Sequence, residues 1–247
     1  MKKYVNLFVF VFMIGACLSQ GRAQTKSAVS YKNPVVDIAM PDPTVIKAAD
    51  GYFYVYATES TRNVPIMKSK DLVEWTYCNT AFTNKTRPRF EPKAGIWAPD
   101  INYINGKYVL YYAMSVWGGE QTCGIGVATA NSPQGPFTDH GKMFRSNEIG
   151  VQNSIDPSFL QYEGRNYLVW GSFRGIYVIE LTADGLSIMS GAKKKRIAGT
   201  AFEAVYIHKH GDYYYMFASI GSCCQGVKST YKVVVGRSKK VWGPYKD

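Results

Sequence analysis

The sequence predicts an all-β protein folded as a β-propeller, and three observations lead to this prediction. Short strand-like runs bounded by Gly, Asn, Asp and Pro recur along the 247 residues, whereas the helical period is nearly absent. The 19 tyrosines and 12 phenylalanines favour strands over helices. The third observation is a sequence pattern that repeats with the period of propeller blades.

Each copy of this repeat has the same order of elements. An acidic residue precedes an apolar strand, a turn that contains Gly, and an aromatic-rich strand that ends in small residues. The acidic residues are Asp42, Asp100, Asp156 and Glu203, which are separated by 58, 56 and 47 positions. A third strand-like run follows in each copy, beginning at residues 65, 124, 176 and 231. We therefore expect blades of four strands around a central channel, an arrangement that leaves only short strand edges exposed.

The first 23 residues have the features of a secretory signal peptide. Lys2 and Lys3 precede an apolar run at residues 5–16 that is too short to span a bilayer comfortably, and small residues follow up to Ala23. We predict cleavage after Ala23. An alternative is an imperfect lipoprotein box in which Cys17 carries a lipid. Either route predicts export, to the periplasm or outside the cell.

The remaining chain divides into a linker at residues 24–33 and the propeller at residues 34–247, without a later stretch that resembles a transmembrane helix. Removal of the signal peptide lowers the formal net charge from +11 to +8, a balance that suits acidic polymers or nucleic acids. The densest basic cluster, residues 193–196, follows a turn-like Ser190-Gly191 and is predicted to be a solvated loop or edge. Export also argues against nucleic acid, so we expect no nucleic-acid partner. We also expect the protein to be a monomer.

The cysteines after the signal peptide do not predict a metal site. Cys78, Cys123, Cys223 and Cys224 lack CxxC spacing and have no nearby pair of histidines, so zinc is not expected. The adjacent Cys223 and Cys224 are compatible with a vicinal disulfide or with two small buried thiols, and burial is slightly favoured.

The repeated acidic residues are the candidate catalytic groups. The innermost strand of each blade lines the channel, so Asp42, Asp156 and Glu203 can meet at one mouth of it. Three clustered carboxylates raise one another's pKa, and this cost is sustained only by function or by a cation. Glycoside hydrolysis needs a carboxyl pair with separated pKa values. The residues alone support a catalytic role and a turn role equally for Asp42 and Asp156, and favour the turn role for Asp100, which Pro99 precedes.

Six blocks of the sequence resemble successive blocks of the family 43 glycoside hydrolases, and specifically the endo-α-1,5-L-arabinanases among them. They are MPDPTVI, GIWAPDI, NSIDPSF, GSFRGI, FEAVYI and CCQGVKSTYKVVVGRS, and the resemblance extends from about residue 34 to residue 245. It implies a five-bladed propeller, of which four blades are visible here, so we expect that the sequence is truncated before the fifth. It also implies a secreted enzyme that cleaves α-1,5-L-arabinofuranosyl linkages in arabinan.

The same resemblance implies an inverting mechanism and a set of site residues. Asp42 would be the general base and Glu203 the general acid, while Asp156 would raise the pKa of Glu203 and orient it. In such enzymes the base and acid are about 6.5–9.5 Å apart. The implied substrate-binding residues are Trp97, Trp117, Gly118, Asn153, Ser154, Ile155, Ser172, Phe173 and Arg174. Trp97 fits a core position between blades equally well. Arg174 departs from the family's usual aromatic residue, which is expected to change subsite preference or chain length.

Two further implications of the resemblance are open. A structural calcium or other cation is expected in the central channel, but the histidine that usually holds it belongs to the fifth blade. His140, His208 and His210 are instead expected in loops or on strand faces. The alternative functions are an exo-acting α-L-arabinofuranosidase or β-xylosidase of the same family, and a catalytically inactive or incomplete sugar-binding propeller. The intact set of three acidic residues argues against loss of catalysis by mutation.

Overall fold

Residues 30–246 are described by a computed structural model, in which 15 strands form four antiparallel sheets. Every described strand lies within residues 33–247, which form one compact unit. In each sheet the strands pair in chain order, and the first strands of consecutive sheets are neighbours. The predicted propeller arrangement is thus confirmed. The predicted signal peptide lies outside the described residues.

The four blades follow one another along the chain. Blade 1 contains β1 (Thr44–Lys47), β2 (Phe53–Tyr56), β3 (Pro65–Ser69) and β4 (Thr76–Thr80). Blade 2 contains β5 (Gly95–Ile104), β6 (Lys107–Ser115), β7 (Gly124–Ala130) and β8 (Thr138–Arg145). Blade 3 contains β9 (Ser158–Tyr162), β10 (Arg165–Trp170), β11 (Ile176–Leu181) and β12 (Lys195–Ala198). Blade 4 contains β13 (Glu203–His210), β14 (Tyr213–Ile220) and β15 (Lys232–Ser238). One short helix, α1 (Ser146–Ile149), follows β8.

Tight turns join the first two strands of each blade, as the Gly-containing repeat predicted. In blade 2, Ile104 pairs with Lys107, so only Asn105 and Gly106 form the turn. Both have positive φ angles, 47° and 82°, which Asn and Gly adopt at low cost and which match the twist of the flanking strands. This turn chemistry explains why the hairpins were visible in the sequence.

The hydrophobic core consists of clusters that lie between adjacent blades. Tyr54 and Tyr56 of blade 1 pack in one cluster with Tyr112 of blade 2, and Trp170 of blade 3 packs in another with Tyr111. The buried hydroxyls still have partners, since Tyr112 donates to Asp139 at 2.5 Å and Tyr111 to the carbonyl of Gly185 at 2.8 Å. Aromatic side chains therefore hold the blades to one another without unpaired buried hydroxyls.

A left-handed residue marks the entry to every blade. Its φ angle lies between 40° and 59°, and it either lies two residues before the first strand or interrupts the pairing of the first strand with the second. The four residues are Asp42, Ala98, Asp156 and Ala204. These positions, rather than the acidic residues as such, are equivalent from blade to blade, and they are 56, 58 and 48 residues apart.

This register corrects the expectation that four acidic residues occupy one repeated position. Asp42 and Asp156 are equivalent, but Asp100 lies two residues after the left-handed Ala98, and Glu203 lies one residue before the left-handed Ala204. Because side chains alternate along a strand, an offset of one residue changes the direction of the side chain. Glu203 therefore approaches the channel differently from the two aspartates.

A buried ion pair joins blade 1 to the start of blade 2. Arg87 donates to both carboxylate oxygens of Glu59, at 2.8 and 2.9 Å, and both side chains are less than 10% exposed. The backbone N–H groups of Asn63 and Ile96 also donate to Glu59, at 2.7 and 2.9 Å. Burial alone would raise the pKa of Glu59, but these hydrogen bonds hold it below its ordinary value.

The vicinal cysteines are bonded, and the slight preference for buried thiols was wrong. Cys223 and Cys224 form a disulfide in the loop between β14 and β15, where Cys223 is half-buried and Cys224 is exposed. Neither side chain is buried enough to contribute a packed thiol to the core. Cys78 and Cys123 are free, and Cys123 is fully buried.

The remaining surface predictions agree with the structure. All four residues 193–196 are exposed at or beside the edge strand β12, as expected for a solvated edge. His208 and His210 are exposed positions of β13, and His140 on β8 shares a 2.8 Å hydrogen bond with Thr129. Among residues 30–246, no helix is both long and apolar enough to cross a membrane.

We expect Arg87→Ala to lower the free energy of unfolding by about 3–5 kcal/mol, because Glu59 would remain buried without its partner. Arg165→Ala is the matched control: its pair with Glu180 is largely exposed on the arginine side and contributes at most about 1 kcal/mol. Urea unfolding of the two variants measures both losses. Equal losses would contradict a dominant role for the buried pair.

Candidate active site

A cavity of about 490 Å³ opens at one mouth of the central channel. It is lined by the entry segment of every blade, together with one residue of β14 and one residue that immediately precedes β15. The lining residues are 42–45, 98–100, 156–158, 204–206, Ser219 and Tyr231. The sequence repeat therefore does bring its four entry segments around one space, as predicted.

Three carboxylates meet beside this cavity. Asp42 and Asp156 line it directly, and Glu203 precedes the lining residue Ala204. Asp42 is exposed, whereas Asp156 and Glu203 are half-buried. Burial first, and then the charges of Glu203 and Asp42, raise the pKa of Asp156 well above its ordinary value, against a hydrogen bond from the backbone of Ala204.

The raised pKa changes the role expected for Asp156. The family resemblance implies a negative charge on Asp156 that keeps Glu203 protonated. The structure instead favours a proton on Asp156 itself, because its carboxyl is desolvated and faces two like charges. The negative charge of Glu203 is thus one of the causes that keep a proton on Asp156.

Asp42 is held by a residue that the sequence analysis missed. The Thr58 hydroxyl donates to Oδ2 of Asp42 at 2.5 Å, and the backbone N–H of Ala98 donates to the same hydroxyl at 2.7 Å. A signal for Thr58 exists in the hairpin register: Thr44 pairs with Tyr56, so Asp42 lies opposite Thr58 two positions further on.

Glu203 is held by two of the predicted substrate-binding residues. Ser172 donates to Oε2 of Glu203 at 2.6 Å, and the two residues also form a β-bridge. The side-chain amide of Asn153 donates to the carbonyl and hydroxyl oxygens of Ser172, at 3.1 and 3.0 Å. Asn153 and Ser172 thus lie at the site, but the contacts they make here are to protein groups.

Tyr231 is a second site residue that the sequence analysis missed. It lines the cavity and is 38% exposed. Its pKa is raised mainly by burial, and further by its interactions with Glu203 and Asp156, while a hydrogen bond with Ser219 opposes the change. The tyrosine follows the disulfide-bearing loop directly, and that position in the CCQGVKSTY block was the available signal.

Asp100 lies in the cavity wall and has a structural role, although this role is a contact between blades rather than the turn that the sequence favoured. Its carboxylate accepts hydrogen bonds of 2.7 Å from the backbone of Phe159 and from the side chain of Asn102. Because Phe159 belongs to β9, this contact joins blade 2 to blade 3. Burial raises the pKa of Asp100 to about 6, although these hydrogen bonds oppose the shift.

Two predicted aromatic residues lie close together near the site. The rings of Trp97, on β5, and Trp117, in the loop after β6, are 6.4 Å apart at an angle of 60°. Trp97 is half-buried and packs against a small cluster that includes Ile155, whereas Trp117 is 80% exposed. Gly118, which follows, is exposed and has a φ angle of 81°. An exposed indole face of this kind is suited to packing against a sugar ring.

The structure corrects the prediction for Ser154 as a substrate contact. Its side chain is fully buried, its hydroxyl donates to the carbonyl of Val151 at 2.7 Å, and it accepts from the indole of Trp170 at 3.1 Å. Ile155 is also buried and packs against Cys123. Both side chains support the segment that carries Asp156 rather than face a ligand.

Arg174, which replaces an aromatic residue of the resembling family, forms an ion pair. Its guanidinium donates to both carboxylate oxygens of Glu120 at 3.0 Å, and Gln152 donates to the same carboxylate at 2.6 Å. The pair is partly exposed, so its contribution to stability is about 1 kcal/mol or less. It does connect the loop after β6 to the loop after β10, in which Phe173 is half-buried and donates its N–H to the carbonyl of Phe202 at 2.9 Å.

The described side chains do not form a recognisable metal site. Within residues 30–246, no three His, Cys, Asp or Glu side chains are grouped so that they could hold a metal ion. The carboxylates of the cavity are instead engaged by Thr58, Ser172 and backbone N–H groups. What the arrangement supports directly is proton transfer between carboxyl groups and a bound molecule.

Comparison with known proteins gives a consistent result. The family model described as Glycosyl hydrolases family 43 matches residues 31–247. The chain is 37% identical over 219 residues to the extracellular endo-α-(1→5)-L-arabinanase 1 of Bacillus subtilis, covering 83% of this chain and 67% of that protein. It is 36% identical over 234 residues to an extracellular exo-α-(1→5)-L-arabinofuranosidase of Cellvibrio japonicus, covering 83% and 66%. This chain therefore spans about two thirds of the length of these curated relatives.

A solved structure shows the same fold. The α-L-arabinanase of Cellvibrio cellulosa in complex with arabinohexaose superimposes with a TM-score of 0.75 and 32% sequence identity. The match covers 85% of this chain and 74% of that chain. The arrangement of blades described above is thus shared with a protein whose structure contains a bound arabino-oligosaccharide.

We expect the carboxyl of Asp156 to titrate above the ordinary range of an aspartate, because burial and two like charges oppose its ionisation. ¹³C NMR of labelled aspartate side chains measures this midpoint, and Glu203→Gln should lower it by removing one like charge. Asp71 is the internal control, since hydrogen bonds from the backbone of Glu74 and Val73 hold its pKa below the ordinary value. An Asp156 midpoint as low as that of Asp71 would contradict the shift.

Proposed function

The chain belongs to family 43 of the glycosyl hydrolases, and on this basis we propose that it hydrolyses α-1,5-linked L-arabinofuranosyl chains of arabinan. The observation that carries the proposal is the meeting of Asp42, Asp156 and Glu203 beside one open cavity. Relatives named for action on α-1,5-L-arabinose linkages are more than 30% identical to this chain over the matched residues. Because those relatives are longer, the activity of the whole protein is part of the proposal.

In the proposed reaction, Asp42 and Glu203 act from their different environments. Asp42 is exposed and has one oxygen held by Thr58, so its other oxygen accepts a proton from a water molecule. That water attacks the anomeric carbon while the glycosidic bond breaks. Glu203 donates its proton to the departing oxygen, and the anomeric configuration is inverted. Each product thus carries one new hydroxyl group. Glu203 has lost one proton and Asp42 has gained one, so the number of protons on the two carboxyl groups together is unchanged.

In the proposed reaction, Asp156 stores the proton that Glu203 later donates. The desolvated carboxyl of Asp156 holds a proton in the free protein, and substrate binding transfers this proton to Glu203, next to the leaving oxygen. Repulsion from an ionised Asp156 then keeps the acid protonated until it reacts. The role predicted for Asp156 therefore applies to the substrate complex rather than to the free protein.

Substrate binding is proposed for the exposed residues around the cavity. Trp117 offers an exposed indole face next to Trp97, and Tyr231 lines the part of the cavity formed by blade 4. Gly118 and Phe173 lie beside these groups in the loops that Glu120 and Arg174 connect. The ion pair of Arg174 with Glu120 limits where a sugar ring can bind near these loops, because it presents charged groups and not an aromatic ring on which a sugar could stack.

Endo action is our first choice, and exo action is the second candidate because one relative is an exo-acting arabinofuranosidase. A cavity open to solvent admits an internal segment of a polymer, which favours the endo mode. No observation on the described residues favours a β-xylosidase. An inactive sugar-binding protein is disfavoured, because all three carboxyl groups are present and close together.

Export, oligomeric state and cation binding have different support. Two relatives are extracellular, and together with the predicted signal peptide this supports export of the protein. The periplasmic location, the lipid on Cys17 and the monomeric state remain predictions. A calcium or other cation in the channel also remains a prediction, and no step of the reaction is assigned to it, because residues 30–246 offer no group of three ligands for it.

We expect the protein to release a ladder of short oligomers early in the digestion of linear α-1,5-arabinan, as internal cleavage requires. Glu203→Gln should slow this release by at least about 10³-fold while leaving arabinohexaose binding measurable, because the proton donor is lost but the cavity is kept. Chromatography of a time course and calorimetric binding give the two results. Early release of a single small product would establish the exo candidate, and an unchanged rate would remove Glu203 from the acid role.

We expect Asp156→Asn to move the basic limb of the pH–activity profile down by about 1 pH unit, because Glu203 loses the like charge that helps it retain a proton. As the pH rises, the variant should therefore lose its activity at a lower pH than the parent protein does. Asp100→Asn is the control, since its charge does not act on the pKa of Asp156. A basic limb that stays in place would make Asp156 purely structural.

A further inference from the structure

The two carboxylates assigned to acid and base chemistry are held in the same way. Each accepts a short hydrogen bond from one hydroxyl group, Asp42 from Thr58 at 2.5 Å and Glu203 from Ser172 at 2.6 Å. Each hydroxyl in turn accepts a hydrogen bond from an N–H group. These donors are the backbone of Ala98, at 2.7 Å, and the side-chain amide of Asn153, at 3.0 Å.

This pattern fixes the direction of both hydroxyl protons. A backbone N–H can only donate, so the Thr58 oxygen must act as acceptor towards Ala98, and its single proton is left for Asp42. The amide of Asn153 also contacts the carbonyl oxygen of Ser172, which can only accept. The contacting atom is therefore the amide nitrogen, and it donates to the Ser172 hydroxyl as well. The proton of Ser172 is thus directed to Glu203.

From this geometry we infer that Thr58, and Ser172 together with Asn153, are positioning residues that orient the base Asp42 and the acid Glu203. The inference rests on the proposed function for the roles of base and acid. It also assigns the reacting atoms: Thr58 occupies Oδ2 of Asp42, so Oδ1 takes the proton of water, and Ser172 occupies Oε2 of Glu203, so Oε1 carries the transferable proton.

The surroundings of Asn153 keep its amide in place. Its backbone N–H donates to the carbonyl of Glu120 at 2.7 Å, and its carbonyl accepts from Ile155 at 3.0 Å. Glu120 is held at the same time by the guanidinium of Arg174, two residues after Ser172. The ion pair therefore connects the two segments whose relative position sets the Asn153–Ser172 contact. A ligand contact in which the side-chain amide of Asn153 donates would compete with the hydrogen bonds that it already makes to Ser172.

The two hydroxyls have separable effects on the pH profile. A donor stabilises the ionised form of the carboxylate that it contacts. Asp42 must be ionised to react, so loss of the Thr58 donor moves the acidic limb to higher pH. Glu203 must be protonated to react, so loss of the Ser172 donor moves the basic limb to higher pH. The titratable groups that face these carboxylates are Asp156, which acts with both, and Tyr231, which acts with Glu203.

The test compares Thr58→Val and Ser172→Ala in the full chain. Each variant should lower kcat on linear α-1,5-arabinan about tenfold and shift only its own limb, by about 0.5–1 pH unit, while KM changes less than about twofold. Asn153→Ala should shift the basic limb in the same direction as Ser172→Ala, by a smaller amount. Thr58→Ser should restore the parent acidic limb, because it returns the hydroxyl.

Thr129→Val is the control for loss of a strand hydroxyl, since Thr129 is bonded to His140 on the outer strands of blade 2 and should leave both limbs unchanged. ¹³C NMR titration of the Asp42 and Glu203 carboxyl carbons provides a readout that does not need activity. Only the carboxyl that loses its donor should titrate at higher pH. This result supports the inference even if the protein fails to cleave arabinan, which would count against the proposed function alone.

Three results would overturn the inference. Unchanged titration of both carboxyls in the variants would show that the hydroxyls do not act on them. A rise in KM with both limbs fixed would make Asn153 and Ser172 substrate ligands, as the sequence resemblance implied. An equal movement of both limbs by either variant would indicate a general disturbance of the cavity rather than separate positioning of the acid and the base.

Discussion

The left-handed backbone at the entry of each blade is the constraint on which the candidate site depends. At Asp42 and Asp156 it bends the chain into the channel mouth, where a proline follows and the first strand begins one residue later. An L-residue adopts this conformation at some cost, and such cost is tolerated where surrounding structure enforces it. The same bend occurs at Ala98 and Ala204, so it belongs to the fold, and only some blades use it to present an acid.

The depth of each carboxyl then determines its chemistry. Asp42 is exposed and open to water, which suits a base, whereas Asp156 is desolvated and opposed by two like charges, which suits a proton store. Asp100 is desolvated as well, but a backbone N–H from the next blade satisfies it and makes it a connection between blades. Three acidic residues that look alike in the sequence thus lie in surroundings that favour different roles.

The sequence predicted the blades and the three acidic residues because both depend on local signals. Gly-containing turns and aromatic strands reveal hairpins, and a repeat of hairpins implies a propeller. Other features could not be predicted from the sequence, and each can be traced to particular residues. The short, mostly exposed β4 and β12 lack an apolar pattern, so they were not located. The bulged pairing of β13 with β14 obscured the offset of Glu203. Ser154 was misjudged because a motif does not reveal which of its side chains is buried.

Thr58 shows how stability and chemistry are joined at the seams between blades. Its neighbour Glu59 accepts the N–H of Ile96 and pairs with Arg87, while Thr58 itself accepts the N–H of Ala98. Two consecutive residues of blade 1 are therefore fastened to alternate residues of one strand of blade 2. The buried ion pair fixes this segment, and the hydroxyl transmits its position to Asp42. Ser172, in the loop after β10 of blade 3, holds Glu203 of blade 4 through a comparable hydrogen bond from its hydroxyl. Because each reacting carboxylate is oriented by a group that also contacts a neighbouring blade or its loop, packing between blades sets the geometry of the site.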